Sequence, residues 1–248
     1  MGFRAMNGLA RFEWVLSSLA RAKSLQDVEG RLGEIRDIYG LANVVYHVLH
    51  IPGCERENAI LLLTYEKAWV SRYLERDYFR IDPVVRAGRG GFLPIDWYDV
   101  DRDSPVAHGF FAEADSYGVG RHGVSLPIRG ANGERAIFTL TSNTSDREWR
   151  TQRLLCIRDF QAIAHFVHDR AIQAAGVLPA GPKRQPSRRE VECLQAFARG
   201  RPPKRIAADL GISESAVRLY LHSIRSKLVC ATIPQAVGVA LTLNLIRL

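Results

Sequence analysis

The sequence has few cysteines and no long apolar run, which limits where the protein can work. Its four cysteines, Cys54, Cys156, Cys193 and Cys230, are scattered without a Cys-x-x-Cys pair, which favours reduced thiols over a disulfide framework. No apolar run approaches the roughly 20 residues that a membrane-spanning helix needs. The opening MGFRAMNG leads into an amphipathic pattern instead of a signal peptide. These absences predict a cytoplasmic protein without a membrane partner.

The chain also lacks the signatures of common catalytic and metal sites. It has no Gly-x-Ser-x-Gly, no phosphate-cradling glycine loop and no paired acids of a receiver domain. The run Asp99 to Asp103 resembles the start of a calcium loop, but Ser104 stands at the glycine position and Phe110 at the final glutamate position. His165 and His168 lie one helical turn apart without a third ligand. We therefore predict neither an enzyme nor a metal or cofactor.

The first 182 residues have no excess charge, so the C-terminal segment holds the whole net charge. Residues 183–248 contain 12 Lys and Arg against four Asp and Glu, which matches the formal net charge of +8 for the complete chain. Aromatic residues are distributed the other way, since all four Trp precede residue 183 and only Phe197 and Tyr220 follow it. This asymmetry predicts a C-terminal part that meets a polyanion and an N-terminal part that encloses something apolar.

Helical and strand patterns alternate in the N-terminal part. Helices are predicted over 8–22, from the cap Ser24 to Gly40, over 66–76 and over 146–175, with strands over 42–51, 58–64, 123–129 and 135–142. Turns at 52–57 and 130–133 connect the strands in pairs. The pattern predicts an α+β domain over 1–175, with an antiparallel sheet between helical layers in an α-β-α sandwich.

A glycine- and proline-rich segment over 176–186 is the predicted linker. Residues 187–248 then give only short helical patterns, beginning with a capping box formed by Ser187 and Glu190. Two short helices are joined at Gly211, and Ser213 can cap the second. This order predicts a small all-α helix-turn-helix domain.

The second helix of that motif, SESAVRLYLHSIRSKL from Ser213 to Leu228, carries an apolar and a basic stripe. Arg218 and His222 project one turn apart, where they could bond base edges in a major groove. A solvated basic face is the common alternative for a single helix, but the local charge excess and the helix order favour nucleic acid. The predicted DNA-contacting residues are Lys204, Arg205, Ser213, Ser215, Arg218, His222, Arg225 and Lys227.

The C-terminal domain resembles the LuxR-type helix-turn-helix. The resemblance rests on SRREVECL from Ser187, IAADLGISESAVR from Ile206 and RSKL from Arg225. Val229 departs from the pattern, because the family commonly has glycine there. The resemblance implies a homodimer on an inverted-repeat site in double-stranded DNA, and it allows RNA polymerase as a further partner.

The stretch YEKAWVSRY places Tyr65, Trp69 and Tyr73 on one face of one helix. Such a stripe is commonly core, but three polar-tipped aromatics each need a partner when buried, and they suit a ligand pocket. Asp82, between Ile81 and Pro83, could simply cap a turn.

Together with Tyr78, Trp97, Gly123 and Pro127, these residues resemble the autoinducer-binding domain of LuxR-family quorum-sensing regulators. The resemblance implies an N-acyl-homoserine lactone, including branched or aryl variants, as ligand. Trp69 would then bond the lactone carbonyl, Tyr65 the acyl carbonyl and Asp82 the amide N–H, Trp97 would pack on the lactone ring, and Thr139 would help hold the acyl oxygen. The implied ligand-binding set is Tyr65, Trp69, Tyr73, Asp82, Trp97 and Thr139.

We therefore predict a quorum-sensing transcription regulator that binds a small-molecule signal and DNA. A LuxR-type regulator that answers a different small molecule, or none, is the first alternative. An enzyme that acts on a lactone or amide is the remote one, since the sequence shows no nucleophile and base pair.

Overall fold

The structure is a computed structural model that describes residues 7–52, 54, 60–100, 104–177 and 184–247. The chain divides into two compact units, Met1–Leu178 and Pro179–Leu248. The division falls within the predicted linker, of which residues 178–183 lie outside the described part. Most of the predicted turn over 52–57 lies outside it as well.

A five-stranded sheet forms the centre of the first unit. Its strand order is β2-β1-β5-β4-β3, and all neighbouring strands are antiparallel. The strands are β1 Asn43–His50, β2 Leu61–Leu63, β3 Ile95–Asp96, β4 His122–Arg129 and β5 Arg135–Ser142. Because side chains alternate between the two faces of a strand, each face has its own set of packing partners.

Helices cover both faces of this sheet, which confirms the predicted α-β-α sandwich. One face packs on α1 Gly8–Ala20, α2 Leu25–Tyr39 and α6 Asp146–Ala175 around a large apolar core. The other face packs on α3 Lys67–Glu75, α4 Pro83–Gly90 and α5 Pro105–Ser116 around a smaller, aromatic cluster. Capping boxes at Ser24 and Ser145 start α2 and α6 as the sequence predicts.

Sequence interpretation missed α4 and α5. Each begins with a capping side chain followed by proline, Asp82-Pro83 and Ser104-Pro105, which is a recognisable start signal. Glycines inside both helices obscured the apolar periodicity, because glycine is the weakest helix former after proline. Without α5, the prediction lacked one wall of the cavity in the N-terminal unit.

Within residues 184–247, the second unit has four short helices: α7 Arg188–Ala198, α8 Pro203–Leu210, α9 Glu214–Lys227 and α10 Ile233–Thr242. Gly211 joins α8 to α9 in the left-handed conformation, and Ser213 caps α9 through the amide of Ala216. The apolar stripe of α9 is buried as predicted, through Val217, Leu221, Ile224 and Leu228. The arrangement confirms the helix-turn-helix.

Across the described residues, no helix is both long enough and apolar enough to cross a membrane.

Val229 follows α9 in a backbone conformation that glycine would adopt at lower cost. Its φ is 57°, and its side chain is 62% exposed, so little packing compensates the strain of a β-branched residue there. We expect Val229→Gly to stabilise the second unit by about 1 kcal/mol, measured by denaturant unfolding. Val229→Ala keeps the Cβ atom and should gain much less; equal gains from both variants would contradict the strain argument.

Candidate ligand pocket and nucleic-acid interface

Three aromatic side chains form the first wall of a cavity in the N-terminal unit. Trp69 and Tyr73 lie on α3, whereas Tyr65 precedes the helix and does not lie on it as predicted. Trp69 is 2% exposed, and its ring centroid lies 5.7 Å from that of Tyr73. Burial raises the pKa of Tyr65 and Tyr73 above the ordinary phenol value, so both hydroxyls stay neutral donors. Among the described residues, the Tyr65 hydroxyl and the Trp69 indole N–H have no hydrogen-bond partner.

Asp82 forms the second wall, and its two carboxylate oxygens have different hydrogen-bond partners. Its Oδ1 caps α4 by accepting the amides of Val84 at 2.8 Å and Val85 at 3.2 Å, as the capping alternative predicts. Its Oδ2 accepts the Tyr73 hydroxyl at 2.7 Å. Burial raises the pKa of Asp82, and these hydrogen bonds oppose the rise. The cap fixes the carboxylate so that Oδ2 is the oxygen on the Tyr73 side.

The sheet forms the floor of the cavity. The Trp97 indole N–H donates to Ser125 Oγ at 3.0 Å, and Ser125 Oγ lies 2.8 Å from Thr139 Oγ1. Gly123 lies beneath the Trp97 ring, and a Cβ atom there would come within 2.2 Å of a ring carbon. The glycine therefore lets the indole lie against the strand.

The third wall is α5, through Phe110 and Ala114. Phe110 contacts Trp69 and Tyr78 at ring-centroid distances of 6.0 and 5.2 Å. Glu113 accepts hydrogen bonds from Arg72 and from the Tyr78 hydroxyl. These bonds hold α5 against α3.

The walls border a partly open cavity of about 730 Å³, a volume that includes space continuous with solvent. All six residues of the predicted ligand-binding set line it. Apolar side chains make up most of the remaining lining: Val45, Leu61, Leu63, Val70, Leu74, Phe79, Val84, Val85, Phe110, Val119 and Ile137. An apolar cavity with a few polar tips is the ordinary design of a small-molecule site.

Sequence interpretation missed Ser125, His47 and Phe110. Ser125 could have been predicted from the sequence, because it lies two residues after Gly123 on a predicted strand and therefore shares its face. His47 could have been placed on a strand but not in a cavity, since that depends on the register of three strands. Phe110 was missed together with α5.

No group of three or more His, Cys, Asp and Glu side chains in the described residues is arranged to hold a metal ion. His168 Nδ1 instead lies 2.8 Å from the buried Tyr46 hydroxyl, and His165 Nδ1 lies 2.7 Å from the carbonyl oxygen of Gln161.

The exposed face of α9 carries Arg218 and His222, as the spacing predicts. Arg218 makes a 2.6 Å ion pair with Glu214 on the same helix, and both side chains are solvent-accessible. Ser213 Oγ, which caps the helix, lies 2.9 Å from Ser215 Oγ. Arg225 donates to the carbonyl of Ala231 and contacts His222 Nε2 at 2.9 Å. On α8, Lys204 is exposed and Arg205 pairs with Asp209 at 3.1 Å.

Lys227 has an ion-pair partner within the second unit. Its ammonium group lies 2.7 Å from Glu190 Oε2, and the Glu190 side chain is 5% exposed. A buried carboxylate needs this counter-charge, because an unpaired charge is costly away from water. Lys227 therefore joins α9 to α7, and its contact with a DNA phosphate stays a prediction.

Arg218 and Lys204 should affect DNA binding in different ways. Arg218→Ala should cost about 1–3 kcal/mol on the cognate site and relax one base position, because a guanidinium in the groove reads a base edge. Lys204→Ala should weaken binding to all sequences alike and reduce its salt dependence. Binding to a randomised DNA library separates these effects; equal influence on sequence preference would restrict Arg218 to phosphate contacts.

Two family profiles match the chain, one for each unit. The profile described as "Autoinducer binding domain" matches residues 24–171. The profile described as "Bacterial regulatory proteins, luxR family" matches residues 186–240.

Characterised relatives resemble the chain over most of its length. The transcriptional activator protein RaiR of Rhizobium etli is 50% identical over 182 residues, which cover 73% of this chain and 75% of RaiR. The HTH-type quorum sensing-dependent transcriptional regulator VjbR of Brucella abortus is 27% identical over 232 residues, covering 89% of this chain and 88% of VjbR.

Solved structures of Escherichia coli SdiA have the same fold. One superposes with a TM-score of 0.68 at 20% identity and covers 98% of this chain and 100% of that chain. SdiA in complex with octanoyl-rac-glycerol gives a TM-score of 0.66 at 19% identity, with 96% of each chain covered.

Proposed function

The chain belongs to the LuxR family of quorum-sensing transcription regulators, and on that premise we propose that its signal is an N-acyl-homoserine lactone. We further propose that it acts as a homodimer on an inverted-repeat DNA site in the cytoplasm. Straight, branched and aryl acyl groups all fall within the proposed ligand class.

The observation that carries the ligand proposal is the convergence of three polar tips in an otherwise apolar cavity. Tyr65 and Trp69 offer donors without partners among the described residues, and Asp82 offers a carboxylate oxygen fixed by the cap of α4. An N-acyl-homoserine lactone has two carbonyl oxygens and one amide N–H, which match these two donors and one acceptor. In the proposed pose, Trp69 donates to the lactone carbonyl, Tyr65 to the acyl carbonyl, and Asp82 accepts the amide N–H.

The remaining contacts follow from the same pose. Trp97, held flat by Gly123, packs on the lactone ring. Thr139 lies on the cavity floor, where it helps hold the acyl oxygen. The acyl chain lies along the apolar wall formed by Leu63, Val70 and Leu74. Burial of that chain supplies about 0.8 kcal/mol of affinity for each methylene group.

Dimer formation is supported by one exposed face of α6. Leu155 and Phe166 are 45% and 42% exposed, and their spacing of about three helical turns puts them on the same side of the helix. Such a face favours a second copy of the chain, and two-fold symmetry matches an inverted-repeat site.

The decisive experiment is expression with a panel of straight-chain, branched and aryl homoserine lactones. Soluble yield and DNA binding are scored together, and bound ligand is recovered and analysed. We expect at least one lactone to bind and to be recovered intact. Hydrolysed ligand would favour the enzyme alternative, and failure of every lactone would leave a regulator of another signal.

Trp69→Phe tests the pose in a single variant. The substitution keeps most of the apolar surface but removes the indole donor, so a buried ligand carbonyl loses its partner. We expect a loss of about 1–3 kcal/mol in ligand binding, measured by calorimetry. Arg218→Ala is the control from the other unit and should leave ligand affinity unchanged. If Trp69→Phe also binds ligand with unaltered affinity, the aromatic stripe is part of the core and does not bind the ligand.

A further inference from the structure

Leu219 is a large apolar side chain on the exposed face of α9. It is 67% exposed, whereas Val217 and Leu221 of the apolar stripe are 0% and 5% exposed. The exposed residues of α9 are Ser215, Arg218, Leu219, His222 and Ser226. Leu219 is therefore the one apolar side chain on that face of the described helix.

Helical spacing gives the position of Leu219 on this face. Residues three and four apart are neighbours on a helix surface, so Leu219 lies between Ser215 and His222. It is the sixth of the 14 residues of α9, and base edges are contacted from the N-terminal half of such a helix. Arg218 precedes it by one helical rise of about 1.5 Å. Because base pairs are about 3.4 Å apart, the bases that the two side chains meet lie within about three base pairs of each other.

An apolar side chain has few favourable partners in a major groove, although a single exposed leucine is ordinary on a protein surface. The base edges there carry hydrogen-bond donors and acceptors, and the one apolar group among them is the C5 methyl of thymine. A leucine placed against a donor or an acceptor removes water from that group without replacing its hydrogen bond, which costs free energy. Against the methyl group, both apolar surfaces leave water and binding is strengthened.

The polar residues of the face form a row beside Leu219. Arg218 makes an ion pair with Glu214 at 2.6 Å. The His222 Nε2 and Arg225 Nη2 atoms lie 2.9 Å apart. These residues are spaced three and four apart and so lie along one side of the helix. Leu219 lies next to this row and meets a different part of the groove.

We propose that Leu219 is a specificity-determining residue that recognises a thymine methyl group, so that the DNA site contains a thymine within about three base pairs of the base that Arg218 reads. The inference rests on the proposed function, because it assumes that α9 enters the major groove of a DNA site. It adds one base of that site and the side chain that reads it.

The first test deletes the methyl group from the DNA. A site is selected from a randomised library with the full-length protein, expressed with the lactone panel, and each thymine is then replaced by deoxyuracil, which lacks only the C5 methyl. We expect uracil at one thymine of each half-site, close to the position that Arg218→Ala relaxes, to weaken binding about fourfold, the effect of one buried methyl group. Absence of a uracil effect at every thymine overturns this inference alone. Selection of no DNA sequence overturns the proposed action on a DNA site and this inference with it.

The second test combines the DNA change with substitutions of Leu219. Leu219→Ala shortens an exposed side chain, so the fold is kept, and it should bind the thymine and uracil sites with equal affinity. Leu219→Asn should move the preference at that position from thymine to adenine, because an Asn side chain can pair with N6 and N7 of adenine. Ser226→Ala, an exposed position on the same face, is the matched control and should keep the uracil effect. A uracil effect that persists in Leu219→Ala, or a thymine preference that persists in Leu219→Asn, overturns the assignment.

Discussion

Replacing Asp82 with Asn is expected to lower affinity for an N-acyl-homoserine lactone by about 100-fold, because it replaces an acceptor with a donor. The amides of Val84 and Val85 require an acceptor, so the Asn oxygen takes the place of Oδ1 at the cap. The amide nitrogen then occupies the Oδ2 position beside Tyr73. The ligand N–H therefore loses a charged acceptor and faces an NH₂ group.

This variant should still fold, since the cap is kept and the Tyr73 hydroxyl can accept from the new amide. Calorimetry or Trp fluorescence gives the affinity, and circular dichroism checks the fold. Asp99→Asn, an exposed acid of the same unit, is the matched control and should bind like the parent. Parent-like binding by Asp82→Asn would mean that the carboxylate serves only as a helix cap.

Glu190→Ala should destabilise the DNA-binding unit by about 3–5 kcal/mol, because it leaves the half-buried ammonium of Lys227 without its counter-charge. Glu190 also accepts the Ser187 amide at 2.5 Å and the Ser223 hydroxyl at 2.5 Å, so one side chain joins the start of α7 to α9. A loss of this size approaches the whole stability of a small domain. DNA binding should fail at temperatures where ligand binding persists.

Hydrogen exchange of the α9 amides measures this loss in the affected unit. Glu192→Ala, on the same helix, is the control: Glu192 pairs with Arg188 and Arg189 near the surface, and its removal should cost less than about 1 kcal/mol. Equal effects of the two variants would refute the structural role of the pair between Glu190 and Lys227.

The same pair gives a pH dependence with a definite sign. Although burial raises the pKa of Glu190, hydrogen bonds from Lys227, Ser223 and Ser187 outweigh it and lower the pKa from 4.5 to about 2. A group whose pKa is depressed in the folded state stabilises the fold above its unfolded value. Its contribution is therefore present at neutral pH and is lost as the pH falls from 4.5 towards 2.

Local patterns in the sequence were sufficient to predict many of the helix starts and the helix-turn-helix of this protein. Helix spacing put Trp69 and Tyr73 on one face of α3, although Tyr65 precedes that helix, and capping residues such as Ser24 and Ser187 located helix starts. The apolar stripe of α9 and the charge excess after residue 183 predicted the helix-turn-helix and its polyanion partner. These signals are readable because each is complete within one or two turns of chain.

Only the tertiary structure determines which residues that are distant in sequence come into contact. Ser125 bonds Trp97 across 28 residues of sequence, and Lys227 meets Glu190 across 37. His47 reaches the cavity only because β1, β2 and β5 pair in one register, and a slip of one residue would turn it to the opposite face. The physical reason is that local periodicity sets which face a side chain occupies, whereas packing and strand register set what that face meets.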